Sequence, residues 1–321
     1  MAIDYNRGLA WPVRAGHVIV AGLMDWIGPL WTWAVAPVRR RWTIPLLLAL
    51  PVFWLVHPFD ALIDQAARSL AARSFVRGDI VREWSAWQQF GAAGSLLFTA
   101  AAVWLADRAR ARRLLDLLAA SLVGLAAFSA LKLGIGRPRP KFGDAETILW
   151  PWGAYPLGPG RGVKHAWESG AGAELWSMPS SHTVFAVILA WFLARMYPRL
   201  APLCIAAAAI VGLGRIVFSA HWASDVAVGA LVGVAVARAT IDGWWGVRGL
   251  DWLWRRVVNR QAEPAYPMLA ARFCERAIGR HPIPSSSDGL ANVPSEAAAT
   301  GGADRSIPPG KTSDRGVDLR P

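Results

Sequence analysis

Charge and cysteine are both scarce in this chain. Only 17% of its 321 residues are charged and 54% are hydrophobic, whereas an ordinary soluble domain carries roughly 25% charged residues. That balance, with a mean hydropathy of +0.31, argues against a soluble globule. Two cysteines, Cys204 and Cys274, imply no disulfide framework, and no Cys/His spacing resembles a zinc site, so no metal is expected. No internal repeat is evident. Nor is there a short apolar core with a small-residue cleavage site, so no removable signal peptide is expected. Lysine is rare too: Lys and Arg total 34 against 22 acidic residues, a net +12, and nearly all are Arg. The basic residues sit in short clusters between long apolar runs, an arrangement typical of membrane proteins and not of nucleic-acid binders. The 19 Trp agree, because indole rings favour the headgroup zone.

About 20 apolar residues suffice for a helix to cross the hydrocarbon. Five segments qualify, at about 88–106, 114–133, 180–197, 200–220 and 222–241, and a sixth runs from Trp42 to about Leu62 despite Pro45 and Pro51. The expected fold is therefore all-α, a polytopic bundle of six transmembrane helices. Residues 11–38 are apolar and Trp-rich but hold Asp25, Pro29 and Pro37, and read better as an interfacial or re-entrant segment than as a further span. The expected organisation is a cytoplasmic or interfacial segment at 1–41, a membrane domain at 42–241, an amphipathic cytoplasmic segment at 242–280 and a disordered tail at 281–321.

Arginines at 39–41, at 108, 110, 112 and 113, at 195 and 199, and at 238, 248, 255 and 256 all fall on one side of a six-span topology. By the positive-inside rule that side is cytoplasmic, with both termini on it. Residues 63–87, on the other side, read as an amphipathic surface helix. The outer loop 134–179 and its approach break the rule by carrying Lys132, Arg137, Arg139, Lys141, Arg161 and Lys164. An anionic ligand is the obvious reason.

Three motifs lie at the outer ends of the third to sixth spans: Lys132 with Arg139-Pro140, then Pro179-Ser180-Ser181-His182, then Arg215 with His221 and Asp225. Topology alone brings them to one face. Lys132, Arg139 and Arg215 can hold the oxygens of a phosphoryl group, with Ser180, Ser181 and the amides at the start of the fourth span adding donors. His221 and Asp225 are four apart, so on a helix they share one face, and the aspartate could hold the imidazole in one tautomer.

These motifs resemble the signature of the type 2 phosphatidic acid phosphatases, integral membrane lipid phosphatases that share a core with vanadium haloperoxidases. That signature is Lys-x6-Arg-Pro, Pro-Ser-Gly-His and Ser-Arg-x5-His-x3-Asp. Order and internal spacings fit over residues 85–241, with 38 residues (141–178) and 31 residues (183–213) between the pieces. Ser181 replaces the glycine of the second piece and Gly214 the serine before Arg215. Neither change removes a catalytic group, so altered phosphate positioning is expected. The resemblance implies that His221 attacks phosphorus to give a phosphohistidine, His182 protonates the departing oxygen, and water hydrolyses the intermediate. No cofactor or metal is required by this set.

Taken singly, Lys132 and Arg139 read as snorkelling anchors, His182 as part of a helix start, and His221 with Asp225 as a local hydrogen bond. Convergence of all of them at these spacings favours a phosphatase site. Gly229 and Gly233 read as close helix packing. His17, His57, His165 and His281 have no evident partners, and Arg137 and Lys141 could contact a headgroup or solvent equally well. The expected partner is a bilayer lipid phosphate or diphosphate, such as phosphatidic acid, phosphatidylglycerol phosphate, an isoprenoid diphosphate or lipid A, met on the periplasmic side of a bacterial inner membrane. Oligomeric state is not legible. A lipid phosphotransferase using the same intermediate, and a non-catalytic lipid-phosphate binder or transporter, are the alternatives; a haloperoxidase is disfavoured by the spans.

Overall fold

The computed structural model describes residues 40–71 and 78–269; the expected interfacial segment at 11–38, His17, Cys274, His281 and the tail at 281–321 lie outside the described residues. Helix α1 (Arg40–Val56) passes through a 3-10 turn, His57–Phe59, into α2 (Asp60–Ala71). Helix α3 (Asp79–Trp87) is joined by a second 3-10 turn, Gln88–Gly91, to α4 (Ala93–Ala106) with a 67° bend. The long helix α5 (Leu114–Ile135) leads into a loop carrying strands β1 (Ala154–Pro156) and β2 (Val163–His165) and the single turn α6 (Gly172–Leu175). Helices α7 (Ser181–Met196), α8 (Ala201–Val217), α9 (Ala223–Thr240) and α10 (Trp245–Val257) complete the order.

Each of the six expected stretches contains a helix, but their lengths differ from the expectation. Four helical runs are long and apolar enough to cross a membrane, Arg41–Leu70, Ala111–Ile135, Pro198–Val217 and Ala223–Val257, and the bent α3–α4 pair would make a fifth. By length and composition this is a multi-pass membrane protein. Helix α7 is apolar but only 16 residues long, about 24 Å at 1.5 Å per residue, because Pro179 and a polar start hold its first turn in the site. Leu97, Phe98 and Leu105 of α4 are 72%, 77% and 74% exposed, as lipid-facing side chains would be.

Two further expectations are corrected. The chain is predominantly helical but not all-α, since β1 and β2 pair antiparallel in the register Ala154↔His165, Tyr155↔Lys164 and Pro156↔Val163. Leu149, Leu157, Ala166, Ala171 and Leu175 form a small core beside this ribbon, so the outer loop is a folded cap. Within it His165 bonds the Gly153 carbonyl at 2.8 Å and stacks on Trp167, partners too local in space and too distant in pattern to be read beforehand. The surface helix expected over 63–87 is, where described, two helices, α2 and α3, and the second packs on α8 through a 3.1 Å bond from Trp84 Nε1 to the Ile210 carbonyl.

Helix α9 is central, packing against α1, α5 and α7. Gly229 and Gly233 allow this, because a Cβ on them would lie 2.9 Å from the carbonyl oxygens of Ser180 and Val184 respectively. At the far end from the site, Asp116 of α5 accepts the N–H groups of Gly246 and Val247 at 2.8 and 3.1 Å and pairs with Arg113 at 2.5 Å. The carboxylate caps α10 and neutralises a buried guanidinium at once. Breaking a buried pair by removing one partner costs about 3–5 kcal/mol. Asp116→Ala should therefore lower the thermal unfolding midpoint in detergent by several degrees, whereas Asp116→Asn, which keeps an acceptor for α10, should lose less.

A cationic pocket at the meeting of three motifs

Backbone hydrogen bonds draw the three motifs together. After Lys132 in the last turn of α5, Gly136 stops the helix with φ +55°, where a Cβ would come 2.8 Å from Ala166 Cβ. The chain then runs beside the residues preceding α7: Arg137 N–H donates to the Leu175 carbonyl at 2.7 Å and Ser177 N–H to the Arg137 carbonyl at 3.1 Å. Ser180, fully buried, is the N-cap residue of α7 and its N–H donates to the Asp225 carbonyl at 3.1 Å. The N–H groups of Ala220 and His221 both return to the carbonyl of Arg215 at the end of α8. Trp222 Nε1 closes the set on the Pro138 carbonyl at 2.9 Å.

The three expected phosphate ligands converge. Lys132, only 6% exposed, has its Nζ 3.4 Å from Ser181 Oγ. Arg139 Nη1 donates to the Ala220 carbonyl at 3.3 Å, and Arg215 Nη1 to Gln88 Oε1 at 3.1 Å. The charges of all three bear on both His182 and His221. Among the described residues none of the three cations forms an ion pair, and the Nε groups of Arg139 and Arg215 are buried without a hydrogen-bond partner. Buried charge and unmade donors are each costly. An anion bound among them would relieve both costs, and two guanidinium forks suit a phosphoryl oxygen set better than a spherical ion.

His221 is not on a helix with Asp225, as expected; it lies in the turn before α9, with Asp225 in the first turn. Its Nδ1 sits 2.6 Å from the Ser177 carbonyl and 3.9 Å from Asp225 Oδ2. A carbonyl can only accept, so Nδ1 carries the proton and Nε2 keeps its lone pair. The tautomer is thus set by backbone, while Asp225 acts one step back, accepting from Ser177 Oγ at 2.5 Å and from Trp222 N–H at 3.0 Å. Burial first, then the charges of Arg139, Arg215 and Lys132, push the His221 pKa well below its ordinary value. Both effects favour the neutral imidazole.

Behind Asp225 lies a network that sequence reasoning missed. Arg137, with no exposed surface, donates to Asp225 at 2.7 Å, Asp60 at 2.9 Å, Ser224 Oγ at 2.8 Å and the Ala145 carbonyl at 2.7 Å. Neither a headgroup contact nor a solvated position describes it. His57, expected to lack partners, has Nδ1 3.0 Å from Arg137 Nη2 and 3.3 Å from Asp60, and Nε2 3.4 Å from Glu146. Asp60 also accepts from the Ser224 N–H at 2.9 Å. An Asp following an apolar span was the available signal, since an acid at that depth requires a cationic partner.

Other basic residues of the cap are occupied. Lys141 and Arg161 both pair with Glu174, Arg161 at 2.7 Å, and its hydrogen bond from Lys141, foremost, holds the Glu174 carboxyl below its usual range. Lys164 donates to the Ser169 carbonyl at 2.6 Å. The departure at Gly214 also has a structural counterpart: a Cβ there would lie 2.8 Å from Trp84 Nε1 and 3.1 Å from Gln88 Cγ. Glycine admits the two side chains of which Gln88 then bonds Arg215. Among the described residues no group of three or more His, Cys, Asp or Glu is placed to hold a metal ion.

Residues 113–248 match the family model described as PAP2 superfamily. The matched segment covers 136 of the 321 residues. It contains all three motifs and the whole of α5 through α9. Two solved structures resemble the chain. One is the first transmembrane PAP2 type phosphatidylglycerolphosphate phosphatase from Bacillus subtilis, 21% identical with a TM-score of 0.44 over 64% of this chain and 95% of that one. The other is LpxE of Aquifex aeolicus, 18% identical with a TM-score of 0.43 over 59% and 95%. Among curated proteins no significant relative is found.

The pocket should bind inorganic phosphate. Titration calorimetry on the purified protein should show Arg139→Gln and Arg215→Gln each weakening that binding about tenfold or more, equivalent to about 1.4 kcal/mol, whereas Arg161→Gln, which acts only on Glu174, should leave it unchanged.

Proposed function

We propose that this protein is a membrane phosphatase that removes a phosphoryl group from a lipid phosphate or diphosphate through a phosphohistidine intermediate, with the site on the extracytoplasmic side. The observation that carries the reading is His221, its Nδ1 held on the Ser177 carbonyl and its Nε2 lone pair left for a ligand, beside Lys132, Arg139 and Arg215, none of which forms an ion pair among the described residues.

In the proposed reaction Lys132, Arg139 and Arg215 hold the phosphoryl oxygens, and Ser180, Ser181 and the first amides of α7 complete the cradle. Charge spreading over those oxygens during transfer is what such donors stabilise. The Nε2 lone pair of His221 attacks phosphorus, the bond to the leaving oxygen breaks, and His182, which takes up a proton as the bound phosphoryl anion offsets the surrounding cations, gives that proton to the oxygen. Water then attacks the phosphohistidine and passes a proton to His182, and the P–N bond breaks to release inorganic phosphate and neutral His221. Asp225 is 3.9 Å from Nδ1, close enough to stabilise the transient positive charge on the ring. The arginine-rich connections between spans, which stand on the opposite side from the site, support the extracytoplasmic assignment by the positive-inside rule, with both termini cytoplasmic in a bacterial inner membrane. Six crossings are part of this reading: α7 and the α3–α4 pair each serve as one.

Purified protein incubated with a panel of lipid phosphates and diphosphates should release inorganic phosphate. His221→Ala and His182→Ala should each abolish release without loss of membrane insertion, and activity should persist in excess EDTA. Turnover in either variant would overturn the assigned roles. Appearance of a newly phosphorylated lipid in place of free phosphate would show transfer to an acceptor, and unchanged function in His221→Ala would show a binder.

The acid limb of the kcat/KM profile should report protonation of His221 in the free enzyme. Because the folded-state pKa is depressed, the nucleophile stays neutral as pH falls through the ordinary histidine value of about 6.5, and this limb should lie below it. Arg139→Gln removes a charge that opposes protonation, so in the residual activity of that variant the limb should move to higher pH.

A further inference from the structure

At the end of the bundle opposite the site, α10 is unlike the apolar helices before it. It follows α9, whose 18 residues carry the chain about 27 Å away from Asp225 at 1.5 Å per residue, and its start is fixed to the beginning of α5 by Asp116 and by Gly246, where a Cβ would lie 2.0 Å from the Leu115 carbonyl. Beyond that attachment its sides diverge. Leu250, Leu253, Trp254 and Val257 recur at i, i+3, i+4 and i+7, and so form one stripe; they are 43%, 49%, 52% and 70% exposed. Arg248, Arg255 and Arg256 fall on the other side, and together with Arg260 they line a groove of about 590 Å³ closed by Pro264, Tyr266 and Pro267.

The groove is built. Asp251 accepts the Tyr266 N–H at 2.8 Å, which folds the following segment back over the helix, and Arg248 lies 5.5 Å from the Tyr266 ring. One carboxylate thus faces four guanidinium groups, and that carboxylate is engaged by a backbone amide. Among the described residues Arg248, Arg255, Arg256 and Arg260 form no ion pair. An exposed apolar stripe backed by an uncompensated arginine face is the pattern of a helix seated in a bilayer interface, and each such cation gains from a negatively charged leaflet.

We infer that the groove of α10 binds the headgroups of anionic phospholipids in the leaflet opposite the site, with the Leu250–Val257 stripe inserted among the acyl chains. This lipid is a structural ligand, recognised by its phosphate and net negative charge. The inference does not depend on the catalytic reading, because it concerns residues about a membrane thickness from His221.

The full chain can carry a fluorophore on Val257→Cys, with Cys204 and Cys274 changed to Ala, in nanodiscs of phosphatidylcholine. One fifth of the lipid is brominated, either as phosphatidylglycerol or as phosphatidylcholine. The expected result is quenching by both, at least about twofold stronger from the phosphatidylglycerol. Changing Arg248, Arg255, Arg256 and Arg260 to Gln should remove the preference, and changing them to Lys should retain it. In the labelled protein itself, raising NaCl from about 0.1 to 1 M shortens the screening length from about 10 to 3 Å and should reduce the preference, which keeps the test decisive if the Gln variant does not insert. Equal quenching by the two headgroups, a preference that survives the Gln changes, or no quenching by either lipid would overturn the inference.

Discussion

Arg137 ties together three parts of the molecule: its own segment after α5, the junction of α1 and α2, and the start of α9. Its guanidinium, wholly buried, bridges Asp60 at the junction of α1 and α2 to Asp225 at the start of α9. Two buried carboxylates and one guanidinium are tolerable only together, since the loss of any one strands charge in a low-dielectric interior. The constraint propagates: Asp225 holds Ser177 Oγ, and the Ser177 carbonyl fixes the His221 ring. The imidazole is therefore oriented by a chain of contacts that begins at the start of α2, outside the segment matched to the PAP2 superfamily.

The pocket in front of this network has the opposite design. Behind the ring the buried guanidinium of Arg137 is paired with two acids; in front of it Lys132, Arg139 and Arg215 are drawn together with no acid among the described residues to pair with them. The backbone bonds between the Arg137 segment, the residues before α7 and the turn before α9 supply the rigidity that holds like charges close. The same contrast recurs at the other end of the bundle, where Asp116 neutralises Arg113 inside while α10 leaves its arginines open. Uncompensated cations are thus common to both proposed anion sites.

The site was legible because its chemistry rests on residue types at fixed short spacings. Lys132 and Arg139, Ser180 to His182, and Arg215 to Asp225 each span one helix end or one short connection between helices, so local geometry carries them together once topology places the ends on one face. Asp225 was expected to hold the ring in one tautomer; the Ser177 carbonyl takes that position and Asp225 lies 3.9 Å from Nδ1, since whether residues 221 and 225 share a helix depends on where α9 begins. The capping of that helix by Asp225 itself decides the point. Arg137 escaped because its partners are 77 and 88 residues away, and a lone arginine in a proline-rich exit looks the same whether it faces solvent or a buried acid.

From the sequence alone came the membrane character, the helical stretches and the three motifs, since each depends on hydropathy or on spacing along the chain. Tertiary structure decided which cations are spent on internal acids and which have no acid among the described residues: Arg137, Lys141 and Arg161 on one side, Lys132, Arg139 and Arg215 on the other. It also made the outer loop a folded cap and gave Gln88 and Trp84 the space beside Gly214. The physical reason is that a charge is satisfied by whatever lies within a few ångströms in space, and that neighbour is set by packing between helices distant along the chain.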